Sequence, residues 1–283
     1  MKFKSILLLC MAGLAFASCG NDDNNKTIFT PTLPTAGGKA IVSISRLGSI
    51  ESGYDWNFTY TDGRMTKADG VLRDPSVSVD QTFTYTSTFS YGERDVTLNS
   101  TTGEKITLHL NADGYISKMM VNRNVYTFQY NYSGQLSAWS KQIFEESLGQ
   151  IQQYNSSATI DYDTQGAFQK IVYKGNDNRQ TVLTFTSDAQ PNNNGIMHPT
   201  IARELGCIGF EQLYYAGLLG RPARMLVKTI KYDYYDDSNS ISSTANVDFE
   251  YGYQNGDRSK NVTYCTYHVT GTNEVASVSY KYE

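Results

Sequence analysis

From about residue 39 to the C-terminus, aromatic or β-branched residues alternate with Thr, Ser, Asn or a charge. Thr82-Phe83-Thr84-Tyr85-Thr86 and Val125-Tyr126-Thr127-Phe128-Gln129-Tyr130 are clear cases. A period of two marks strands with one buried face, so the chain is read as all-β: an antiparallel meander of about 14–16 strands in a strongly curled or barrel-like sheet. Closed barrel and open curl are both left open. One segment breaks the pattern. After Ala189–Gly195 and His198-Pro199-Thr200, the apolar residues Ile201, Ala202, Leu205, Ile208, Phe210, Leu213, Tyr214 and Leu218 fall at helical spacing, with Thr200 as N-cap and Gly220 before Pro222 as a stop. The spacing predicts a helical insert at 198–220, with a short helix near 200–219, whole or broken between Gly206 and Gly209. An apolar helix among hairpins needs cover, and the concave face of a curled sheet would provide it.

A recurring turn joins the strands. Phe58-Thr59-Tyr60 leads into Thr61-Asp62-Gly63, Leu108-His109-Leu110 into Asn111-Ala112-Asp113-Gly114, Phe128-Gln129-Tyr130 into Asn131-Tyr132-Ser133-Gly134, and Ile160-Asp161-Tyr162 into Asp163-Thr164-Gln165-Gly166. Two inward side chains, a polar turn and a Gly free to take positive φ make a β-hairpin. This unit resembles the YD repeat of large bacterial surface proteins, although its irregular spacing argues against a solenoid.

The N-terminus carries an address. Lys2 and Lys4 precede an apolar run from Ile6 to Ala17, too short for the roughly 20 residues a membrane span needs. The run ends Phe16-Ala17-Ser18-Cys19, which resembles a bacterial lipobox. The resemblance implies a signal peptide at 1–18 and lipid on Cys19. Gly20-Asn21-Asp22-Asp23-Asn24-Asn25 is similar to the surface-export tag of Bacteroides-type lipoproteins. Residues 19–38 read as a flexible tether rich in Thr, Pro and Gly, and 39–283 as a single hairpin-rich domain. With lipobox, size and pattern combined, residues 40–283 resemble a family of uncharacterised Bacteroides lipoproteins, a domain of unknown function with a porin-like β fold. That resemblance implies the fold and no activity. True membrane insertion is not expected, because the second face of the strands is mostly Thr, Ser, Asn, Gln and charge.

Losing Lys2 and Lys4 with the signal takes the formal charge from −4 to −6. An acidic chain has no general attraction for nucleic acid. After processing, Cys207 and Cys265 are the remaining cysteines, and both a disulfide and two buried thiols stay open. His109, His198 and His268 stand apart from other ligands and read as surface residues; no metal, cofactor or catalytic set is expected. Asp233, Asp236 and Asp237 lack the order of a calcium loop and read as a solvated hairpin. Glu51, Glu104, Glu145, Glu250 and Glu274 are too scattered to name an acid pair. Trp56, Trp139, Tyr232-Asp233-Tyr234-Tyr235 and Tyr251-Gly252-Tyr253 either form an aromatic binding face or stabilise the sheet through cross-strand pairs.

The expectation is therefore a lipid-anchored protein of the outer membrane, exposed on the cell surface or facing the periplasm. Its membrane contact is the anchor alone, and its ligand is a glycan or an envelope protein. A carbohydrate-active enzyme and a structural accessory of an outer-membrane complex are the alternatives.

Overall fold

The computed structural model describes residues 29–35, 39–48, 53–73, 83–147, 150–177, 179–198 and 210–283. Among these, sixteen antiparallel strands follow one another as a meander, and the first, β1 (Ile41–Gly48), pairs with the last, β16 (Val275–Tyr282), to close a barrel. The two ends of the domain thus meet, and no sheet edge is left unpaired along that seam.

Alternation sets the two faces. On β2 (Gly53–Thr61), Trp56 and Phe58 are buried inside while Asn57 and Thr59 are exposed. The outer wall carries Lys170, Thr184, Lys231, Asn246 and Glu250, all exposed. A charge at the lipid-facing midplane of a membrane barrel costs about 2–4 kcal/mol, so this wall suits water. The usual porin arrangement is turned inside out, with the apolar face inward.

Sixteen strands enclose a lumen too wide for wall side chains to fill; barrels of that size ordinarily hold an aqueous channel. Here residues between β12 (Gln180–Pro191) and β13 (Met225–Tyr235) turn inward and fill it. Asn192, Asn194–His198 and Glu211–Gly220 are all buried. Within this insert, α1 spans Phe210–Tyr215. It ends earlier than the sequence implies: the Gly217 amide bonds Tyr214 O at 2.8 Å and the Leu218 amide bonds Leu213 O at 3.0 Å, the paired bonds of a Schellman cap, with Gly217 at φ 78°. Gly220, expected as the stop, instead lets the insert touch the wall: a Cβ there would lie 2.5 Å from Gly134 O. Thr200 and the expected first half of the helix lie outside the described residues.

The recurring turns gather at one end, the lower rim. Asn111 Oδ1 accepts the amides of Asp113 and Tyr115 at 3.0 and 2.9 Å, Asn131 Oδ1 those of Ser133 and Gln135 at 3.0 and 2.9 Å, and Asp163 Oδ1 those of Gln165 and Ala167 at 2.9 Å each. Asn192–Gly195 repeats the motif, with the Gly195 amide on Asn192 O at 3.1 Å and the Ile196 amide on Asn192 Oδ1 at 2.8 Å. It launches the insert where its relatives launch a strand. The Asp62-Gly63 turn differs: both residues have positive φ, 52° and 72°, which makes a tight two-residue hairpin.

Asn192 also donates from Nδ2 to Ile196 O at 3.0 Å and Ala223 O at 3.1 Å, tying both ends of the insert together. Asn192→Leu strands these buried backbone groups and is expected to cost roughly 2–4 kcal/mol by denaturant unfolding. A loss under about 0.5 kcal/mol would show the turn to be dispensable.

Residues 29–35 form a strap beneath the lower rim. The Phe29 amide bonds Gly92 O at 3.2 Å, Arg64 Nη2 reaches Thr30 Oγ1 at 2.5 Å, and Pro31 and Pro34 are buried. Thr32 and Pro34 lie so close to Gly217 and Gly195 of the insert that a side chain at either glycine would collide with them.

Candidate functional site

Three regions carry polar chemistry: the lumen, the lower rim and the upper rim. In the lumen, α1 presents Glu211 and Gln212 to the wall. Glu211 Oε1 accepts a hydrogen bond and ion pair from Arg46 Nη2, and Glu211 Oε2 accepts the Trp56 indole N–H at 2.7 Å. Ser87 donates its hydroxyl to Gln212 Oε1, and Arg46 Nη1 also donates to Tyr54 O. The side chains of Arg46 and Glu211 are 3% and 11% exposed, so both charges are withdrawn from water and depend on each other. Around this lock, Phe58 packs on Tyr215 with ring centroids 5.6 Å apart, and Tyr60 donates to Tyr215 O at 3.3 Å. On the opposite side the Ile116 amide bonds Leu218 O at 2.9 Å, and Gln135 Nε2 bonds Pro222 O at 3.1 Å. Glu211 is thus fully engaged in fastening the insert.

At the lower rim, the second aromatic of the recurring motif has a defined task. The hydroxyls of Tyr60, Tyr91, Tyr130, Tyr162, Tyr251 and Tyr282 donate to Ile41 O, Met65 O, Ile116 O, Leu136 O, Val227 O and Val262 O at 3.2, 2.9, 2.8, 3.0, 2.8 and 2.6 Å. In every case the acceptor lies on or next to the strand preceding the tyrosine's own, so the hydroxyls form a girdle that ties neighbouring strands. Burial pushes all six phenols above the ordinary 10.0. A raised acid keeps its proton when folded, so stability is fully present below pH 10 and falls as pH climbs above it, where the unfolded chain ionises first. Urea midpoints are expected to be flat from pH 7 to 9 and to drop steeply beyond 10, with these tyrosines ionising on unfolding. Reversible tyrosinate absorbance for all six at pH 11 without unfolding would contradict the girdle.

The upper rim holds a cleft of about 700 Å³ lined by Arg179, Gln180, Thr181, Tyr234, Tyr235, Asp236, Asp237 and three serines. Its size lies within the roughly 300–1,000 Å³ of small-molecule sites. The turn beneath it is well ordered: Asp236 Oδ1 accepts the amides of Ser238 and Ser240 at 2.9 and 3.0 Å and the Ser238 hydroxyl at 2.7 Å. These bonds hold the Asp236 carboxyl below its ordinary range. Arg179 pairs with Asp237 at 3.2 Å and Asp177 at 3.3 Å.

The sequence candidates distribute as follows. Trp56 and Trp139 are 1% and 4% exposed and belong to the core, so neither forms a surface aromatic face. Tyr232 is buried, whereas Tyr234 is 38% exposed at the cleft. Asp236 and Asp237 sit in the solvated hairpin turn, while Asp233 is buried on β13 between Lys231 Nζ at 2.9 Å and Thr244 Oγ1 at 2.8 Å. His109, beside Asp95 at 2.6 Å, and His268 are partly exposed as expected. His198 is not a surface residue: the insert carries it inside, edge-on to Phe249 with centroids 4.6 Å apart. Glu145, Glu250 and Glu274 are exposed, and Glu104 caps a turn by accepting from Asn122 at 3.1 Å. Cys265 is buried on the strand Val262–Val269 near Tyr251 and Tyr280. Cys19, Glu51 and Cys207 lie outside the described residues, and with Cys207 lies the pairing of Cys265.

Over residues 58–264 the chain matches the family described as a domain of unknown function (DUF4595) with porin-like fold. It belongs to that family. A crystal structure of a porin-like protein from Bacteroides uniformis ATCC 8492 superposes on this DUF4595 chain with a TM-score of 0.62 at 22% identity, covering 86% of this chain and 98% of that one. A second porin-like protein, from Bacteroides vulgatus ATCC 8482, gives a TM-score of 0.50 at 12% identity, covering 87% and 99%. These likenesses show the shared fold. No curated protein matches the chain. The DUF4595 fold is described as porin-like, and in this member sixteen strands among the described residues close into a barrel whose lumen holds the described part of the insert.

Proposed function

We propose that this protein is a lipid-anchored envelope protein that uses a plugged, water-compatible barrel as a rigid stand for binding a ligand at the upper rim. One observation carries the reading: the strap at 29–35 crosses beneath the lower rim, at the end opposite the cleft. The ten residue-to-residue steps from Cys19 to Phe29 span at most about 35 Å when extended. A lipid on Cys19 therefore keeps the lower rim near the membrane and turns the upper rim outward. The filled lumen supports binding over conduction, and the polar wall supports attachment by lipid over insertion. The ligand class is a glycan or an envelope protein.

The test uses the full chain in its native cells. Cys19→Ser is expected to move the protein from the membrane to the soluble fraction, and Ser238→Cys to react with an impermeant maleimide on intact cells. The processed chain should then give a saturable partner on glycan or envelope-protein arrays. Retention of Cys19→Ser in membranes overturns the anchor, labelling only after lysis places the cleft in the periplasm, and blank arrays reduce the protein to a structural accessory.

A further inference from the structure

We propose that the upper-rim cleft binds a neutral oligosaccharide, with Tyr234 as the stacking platform; this rests on the binding reading above and names its ligand class and site. Three observations converge. First, the platform is anchored. Tyr232 and Tyr234 lie on the same face of β13 with ring centroids 6.1 Å apart and planes only 13° from parallel; the inner ring is buried and the outer is 38% exposed. A ring held in this way offers a flat apolar face with little orientational freedom left to lose, as the C–H face of a pyranose requires.

Second, a row of neutral hydroxyls and an amide lies around the platform. Gln180, Thr181, Tyr235, Ser242 and Ser243 line the cleft, and each can both donate and accept. A sugar hydroxyl needs partners of this kind, because it does both itself.

Third, the charge at the cleft is negative and already ordered. Asp177 and Asp237 hold Arg179, the one cation among the described residues that line the cleft, and Asp236 adds a further carboxylate whose oxygen is bound to its own turn. Arg179 is therefore engaged, and the three carboxylates outnumber it. An anionic glycan would meet a repulsive field there, whereas a neutral one meets none. A basic peptide suits the charge but gains nothing from the hydroxyl row, and the observations favour the neutral saccharide.

The experiment is calorimetric titration of the full processed chain with hexasaccharides of glucose, mannose and xylose, with hexagalacturonate and with hexalysine. At least one neutral hexasaccharide is expected to bind saturably at 0.15 M salt, with hexagalacturonate at least tenfold weaker. Tyr234→Ala should weaken binding at least tenfold while the melting temperature stays within a few degrees, and Tyr234→Phe should keep most of it, because the ring face carries the contact. Preference for hexagalacturonate or hexalysine overturns the neutral-saccharide assignment while leaving a binding protein. Saccharide binding that Tyr234→Ala does not change overturns the site. Silence toward every probe overturns the inference, while the array screen still decides the broader reading.

Discussion

Glu211→Leu is expected to destabilise the protein by about 3–5 kcal/mol, because it takes the α1 carboxylate away from the Arg46 guanidinium buried in the lumen. The cost comes from a desolvated charge losing an opposite charge beside it rather than from the net worth of the pair in water. Arg46 faces inward from β1, 3% exposed, and its guanidinium also donates to Tyr54 O on the neighbouring β2. The indole N–H of Trp56 loses its acceptor in the same step. Arg46→Met combined with Glu211→Leu is expected to regain most of the loss, since both charges then leave together. Equal and additive losses in the single and double variants would show that the two residues do not act as a pair. Chemical denaturation, with midpoint and slope both recorded, separates a weaker native state from a changed unfolding transition.

Trp56→Ala is expected to cost about 3–5 kcal/mol by creating a large cavity in a packed interior. Trp56 is 1% exposed, stacks on Phe58 with centroids 5.8 Å apart and meets Tyr85 edge-on at 6.3 Å. It also takes up one oxygen of Glu211, so this variant removes packing and part of the lock together. Trp56→Phe restores much of the volume without the N–H and is expected to lose about half as much. The same burial predicts blue-shifted tryptophan emission, resistant to acrylamide, from both Trp56 and Trp139. Ready quenching of the Trp56 signal in the folded protein would place the indole at a surface and contradict the lumen lock.

Much of the fold was legible because alternation is a local signal. The strands around Phe128 and Tyr85, and the Asn111, Asn131 and Asp163 turns, follow from period two and Asx-turn chemistry without tertiary knowledge. Closure was not legible: it depends on Ile44 meeting Tyr280, two residues near opposite ends of the domain whose pairing no local pattern encodes. The insert was visible as a change of period, but its stop was misplaced. Gly217 and Gly220 both take positive φ, and only the bonds of Leu218 and Gly217 decide which one ends the helix.

The lumen lock illustrates a different limit. Arg46 sits in Ile44-Ser45-Arg46-Leu47, where chemistry suggests that Leu47 is inside and Arg46 outside. A register shift between Ile41 and Ser43 resets the phase, so Ile44 and Arg46 face inward and Leu47 is 60% exposed. The phase counted from Ile44 was the available signal, but a buried arginine becomes credible only once Glu211 is known to face it. The tryptophans show the converse case. Residue type alone left a binding face and a structural role both open for them, and the structure places both in the core and leaves Tyr234, at a strand end, as an exposed ring.

The central claim is that the segment between β12 and β13 fills the lumen of a closed barrel. Hydrogen–deuterium exchange of the full chain tests it most directly at the amides that cross between insert and wall, those of Arg221 and Arg224 on the insert and of Ile116 on the barrel, which bonds Leu218 O. These three amides are expected to exchange as slowly as the central amides of β2 and β13, opening only with global unfolding. Exchange of the insert amides within seconds, with the strands still protected, would show a lumen that opens in the native state and would contradict the plugged barrel.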